Sequence, residues 1–181
     1  AIPRLFQDKI NQQDAWLSLA LKTAARHQGI APFKTRLGDN IMPNPALETA
    51  EADRPQGWAP STYGDRGGTR FTHTEGADQA RSGKKALRID SERGADAGWL
   101  ASIPVKPSTD YRLSGWIKTS GVKGAMGALM NVHGMGQTRT QAIKGDQDWT
   151  EVEVTFNTGN QSRIQVNCLF GGWGVSTGTA W

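Results

Sequence analysis

His27, His73 and His133 are the side chains best suited to proton transfer or metal binding at neutral pH. Each stands in a different segment with no ligand-type neighbour at short spacing. The chain has no HExxH, no GxSxG, no phosphate-binding loop and no glycine fingerprint opening a helix. Its 17 carboxylates include no pair that the sequence singles out, although a glycosidase acid and nucleophile need only a suitable separation in space. The single cysteine, Cys168, excludes an internal disulfide and a multi-cysteine zinc site, and no CxxCH is present for covalent haem attachment. Its setting, VNCLF, reads as a small core residue of a strand. The reading is of a chain that does not catalyse.

The aromatic rings suggest other chemistry, because an exposed ring can stack on the apolar side of a sugar. In residues 110–118, DYRLSGWIK, alternation puts Trp116 on the face of Arg112, Ser114 and Lys118, opposite Tyr111, Leu113 and Ile117. Trp116 is therefore either a stacking surface or a ring covered by a loop or a helix. Asn131 and His133 alternate with Met130 and Val132 and offer hydrogen-bonding groups to hydroxyls. Tyr63 and Trp173 stand in loop-like stretches, STYGDRGG and FGGWGVSTG. The loop at residues 64–68 is a candidate cleft wall. Tyr63, Trp116, Asn131, His133 and Trp173 are the candidate ligand-binding residues. Trp173, between glycines where no alternation fixes it inward, is the leading sugar platform, whereas Trp181 is expected in core or seam.

Strands must position these groups. Val152, Val154 and Phe156 alternate with Glu151, Glu153 and Thr155, and residues 163–170 repeat the pattern with Ile164, Val166, Cys168 and Phe170 inward. Weaker strand candidates cover 69–74, 85–90, 99–105, 124–133 and 139–143. Twenty-two glycines and eight prolines supply the punctuation, and short strands at this spacing with no helix between them predict an all-β sandwich. Asn160, Gln161 and Ser162 form a sequon that reads as a turn. Residues 1–38 differ: DAWLSLALKTAARHQG has helical spacing, giving an N-terminal α-helical extension with a broad apolar face that needs a partner, followed by a linker. The net charge of +4 resides in that segment, and residues 39–181 are electrically balanced. A neutral body lacks the footprint of a nucleic-acid binder, and no apolar run is long enough to span a membrane.

The order NIMPNPALE, PQGWAPS, RSGKKALRI, IPVKPSTDYRLSGWIKT and DWTEVEVTFNTG resembles carbohydrate-binding modules of families 4 and 9, over about residues 39–181. The resemblance implies a jelly-roll β-sandwich of the galactose-binding-like kind. It also implies a structural calcium ion held by Glu48 and by backbone oxygens at Ser82 to Lys84, with an aspartate from the last strand. The chain stops at Trp181, where the acidic pair of that strand would follow. The N-terminal helix resembles the end of a HEAT-repeat region in planctomycete-type multidomain dehydrogenase-like proteins. The expectation is non-catalytic glycan binding within a larger extracellular or periplasmic protein. The alternative is a structural module that packs against partner domains of a multidomain, haem-containing oxidoreductase.

Overall fold

The computed structural model describes residues 38–52 and 54–181, so the expected N-terminal helix lies outside the described residues. Asn40–Trp181 forms one compact unit. Its strands are β1 (Ala50–Glu51), β2 (Arg54–Pro55), β3 (Ala59–Asp65), β4 (Arg70–His73), β5 (Leu87–Pro104), β6 (Asp110–Gly124), β7 (Gly127–Val132), β8 (Gly145–Asn157), β9 (Arg163–Gly171) and β10 (Ser176–Ala180). The described residues contain no helix. β1 and β2 form a small ribbon, and the remaining strands form one antiparallel hydrogen-bonded sheet ordered β7-β9-β5-β10-β6-β8, with β3 and β4 also on β5.

That sheet is two layers because β5 changes partners along its 18 residues. Its first half, Leu87 to Ala95, pairs with β4 and β10, and its second half, from Ala95 to Pro104, pairs with β3 and β9. Layer one is therefore β4, β5, β10, β6 and β8, and layer two is β3, β5, β9 and β7. The sequence predicts separate strands at 85–90 and 99–105, with SERGAD between them. The structure runs straight through it: Ser91 Oγ accepts the Gly94 amide hydrogen at 3.1 Å, and Gly94 turns through φ +111°. A glycine tolerates that angle, so the chain crosses between layers without leaving the ladder.

The core lies between the layers. Leu113, Ile117 and Val152 face it from layer one, and Trp99, Ile103, Val132, Val166 and Phe170 from layer two. Tyr111, Val154, Phe156 and Cys168 pack against it half-buried. The layers touch at Gly115, where an added Cβ would stand 2.8 Å from Met130 Sδ of the opposite layer. Residues 139–143 are not a full strand; they add only the bridges Asn131 to Arg139 and Ala128 to Ile143. Residues 159–160 form the turn expected of the sequon.

Candidate functional site

The inward set of layer two fixes what points outward. With Ala128, Met130 and Val132 in the core, β7 turns Leu129 and Asn131 out; with Ile164, Val166 and Phe170 inside, β9 turns Gln165, Asn167 and Leu169 out. Register places Asn131 directly opposite Asn167, and Leu129 opposite Leu169. These outward residues are nevertheless buried, Leu129 and Asn167 to 1% exposure and Asn131 to 7%, so the face is overhung.

One overhang is Tyr63. It lies in strand β3 rather than in a loop, and it is the extra residue of a bulge, since Thr62 pairs with Ala97 and Gly64 with Asp96. A bulge re-aims its side chain. Here the ring reaches across the face, stacks on His133 at 5.7 Å and 12°, and brings its hydroxyl to Asn167, 3.0 Å from Nδ2 and 3.2 Å from Oδ1. Gly98 stands beneath the reach: a Cβ there would meet the Cys168 carbonyl at 3.0 Å and Asn167 Oδ1 at 3.2 Å. The segment after Tyr63 is pinned, because Asp65 Oδ1 accepts from the Gly67 amide at 2.8 Å and from Thr69 Oγ1 at 2.7 Å. Those bonds hold the Asp65 carboxyl below its ordinary pKa, the Thr69 hydroxyl first and the Gly67 amide next.

Trp173 overhangs the other side. Asp96, outward on β5, takes the Gly172 amide hydrogen on Oδ1 at 3.1 Å and that of Gly174 on Oδ2 at 3.2 Å. This clamp lays the Gly172 backbone over Leu129 and Leu169 and leaves Trp173 at φ +58° with 60% of its surface exposed. A tryptophan in the left-handed region is strained by about 1–2 kcal/mol. The Arg139 guanidinium lies 5.4 Å from the Trp173 ring centroid, and the Asn131 to Arg139 bridge brings that arginine beside the asparagine pair.

Among the described residues the centre of the face has one buried polar atom with no partner. Asn131 Oδ1 is buried and accepts no hydrogen bond. Such an acceptor costs about 1–3 kcal/mol unless something donates to it. Four candidates thus share one face: Tyr63, Asn131, His133 and Trp173. Trp116 does not join them. It is 38% exposed on the outer face of layer one, with the Arg81 guanidinium 3.6 Å from its centroid, so a loop residue covers it. Trp181 is not a core ring; it lies half-buried on that same outer face, paired with Lys118 through both backbone bonds and packed under Arg88 and Lys118. Asn167, Arg139 and Asp96 were missed. The outward phase of Asn167 was readable, but its pairing with Asn131 was not.

Glu48 does reach the turn after Ser82, as the resemblance implies, but not as half of an ion cage. Its Oε1 takes the Lys84 amide hydrogen at 2.7 Å and that of Lys85 at 3.2 Å. Two N–H donors on one oxygen oppose a cation there, and the described residues contain no group of three acidic, histidine or cysteine side chains around a common point. In this arrangement Glu48 Oε1 serves the Lys84 and Lys85 amides rather than an ion.

No protein-family model matches the chain. The carbohydrate-binding module TmCBM61, solved with β-1,4-galactotriose, superposes with a TM-score of 0.50 at 18% identity, over 80% of this chain and 99% of that one. A xylan-binding CBM22 domain of Paenibacillus barcinonensis gives 0.44 at 22%, over 69% and 81%. The first likeness establishes the fold as the all-β jelly roll of such modules. Among curated proteins, the tRNA nuclease WapA of Bacillus subtilis is 33% identical over 90 residues, 42% of this chain and 4% of its own length. The chain thus spans only about 4% of the length of WapA.

Proposed function

We propose that the chain is a non-catalytic carbohydrate-binding module whose site is the outer face of layer two. The observation that carries this reading is the buried, partnerless Oδ1 of Asn131 on a face overhung by Tyr63 and Trp173. A sugar supplies what the face lacks: hydroxyls to donate to Asn131, and an apolar ring side to lie on an exposed indole. Among the described residues Trp173 contributes to no core contact, and its strained, clamped position beside Arg139 suits a ring held ready for a ligand. The Tyr63 to Asn167 bond fixes one wall before binding, which limits the ordering cost. The setting we propose is a larger extracellular or periplasmic protein, in which this unit supplies attachment while other domains supply any chemistry.

A glycan microarray probed with the 181-residue chain and with Trp173→Ala tests this. The wild type binds at least one polysaccharide class and the variant, with an unchanged melting curve, loses it. Equal binding by the variant would refute the site, and no binding by a folded wild type would refute the function.

A further inference from the structure

The proposed face carries a cation that a neutral sugar would leave unused. Among the described residues the Arg139 side chain makes no hydrogen bond and no ion pair; its only partner is the Trp173 ring. Asp96, an acidic side chain on the same face, has a backbone amide hydrogen on each oxygen, holds the Trp173 turn and makes no ion pair with Arg139. The second arginine of this face, Arg163, is exposed and donates from Nη1 to Ser102 Oγ at 3.3 Å. The face therefore has an excess of positive charge, although residues 39–181 as a whole are balanced.

The position of Arg139 is constrained. Its backbone bridge to Asn131 puts the two side chains on the same side, one with an acceptor seeking a hydrogen, the other with donors seeking an acceptor. A sugar hydroxyl and a sugar carboxylate on one ring present that complementary pair. A guanidinium packed against an indole is also partly shielded from water, and its planar fork matches a carboxylate with two parallel hydrogen bonds.

Resting on the carbohydrate-binding reading, we infer that this face selects an acidic sugar, a uronate unit. In this arrangement its carboxylate pairs with Arg139, its ring lies on Trp173 and a hydroxyl donates to Asn131 Oδ1. Arg139 then sets the preference for charge, and Trp173 supplies affinity common to charged and neutral sugars.

Affinity electrophoresis of the 181-residue chain through gels containing polygalacturonate, alginate or glucuronoxylan, each before and after carboxyl reduction, tests this. The wild type is retarded more by at least one acidic polymer than by its reduced form, by roughly tenfold in apparent affinity. That preference shrinks in 0.5 M salt, about three times the physiological ionic strength. Arg139→Gln loses the preference and keeps binding to the reduced polymer; Arg139→Lys restores part of it. Equal binding of acidic and reduced polymers by the wild type, or an unchanged preference in Arg139→Gln, overturns the inference and leaves the carbohydrate reading standing. Failure to bind any polymer overturns both.

Discussion

Replacing Asn131 with leucine should stabilise the protein while abolishing ligand binding. Asn131 is 7% exposed and, among the described residues, its Oδ1 lies in no hydrogen bond, whereas Leu129 and Leu169 on the same outer face are buried apolar side chains. Leucine has the same branched four-atom side-chain skeleton as asparagine, so the substitution removes an unsatisfied acceptor worth about 1–3 kcal/mol without opening a cavity. It forfeits only what the partly accessible Nδ2 gains from water. The expected net gain is about 1 kcal/mol, which for a domain of this size raises Tm by roughly 2–4 °C. Differential scanning calorimetry of the ligand-free proteins reads the gain, and titration with the bound glycan reads the loss. A leucine variant that melts below the wild type, or that binds as tightly, would refute the reasoning, because Asn131 would then be a satisfied structural residue.

Four further outcomes follow from the same contacts. Gly98→Ala places a methyl 3.2 Å from Asn167 Oδ1 and 3.0 Å from a carbonyl, so it should displace the Tyr63 to Asn167 bond, cost about 1–3 kcal/mol in a chemical-denaturation curve and weaken binding. Asp65 has a lowered pKa, so its stabilising contribution is complete above the ordinary carboxylate range and is lost as pH falls through its folded value; the Gly67 amide resonance should move over that acid range and stay still in Asp65→Asn. Burial pushes the Cys168 thiol up to about 12, so a disulfide reagent at pH 8, about four units below, should label it only after denaturation. Glu48→Gln should lower Tm by a few degrees, to the same extent in calcium and in chelator, because the lost interactions are those with the Lys84 and Lys85 amides.

Alternation carried the inner faces. Leu113, Ile117, Val152, Val166 and Phe170 are core residues because polar neighbours mark the opposite phase, and period two needs no tertiary information. Where local chemistry was ambiguous, the reading failed. SERGAD has the composition of a turn, and only its pairing with β10 and β3 makes it the crossing segment of one long strand. Tyr63 likewise looked like a loop residue, since a bulge has no sequence signature beyond the glycine that follows it. The opposite fates of Trp173 and Trp181 were half legible. Flanking glycines marked Trp173 as free of alternation, but the cations that cover Trp181 come from β5 and β6, remote in sequence. The asparagine pair was the least legible feature, because register between β7 and β9 is set by the whole sandwich.

The most direct test of the account is where a bound glycan perturbs the molecule. In amide and side-chain NMR spectra titrated with the array-selected oligosaccharide, the largest shifts should fall on Tyr63, Asn131, His133, Asn167 and the Trp173 indole. Trp116 and Trp181 should stay in place. Shifts concentrated on Trp116, Trp181 and their covering arginines, with the layer-two face unmoved, would contradict it.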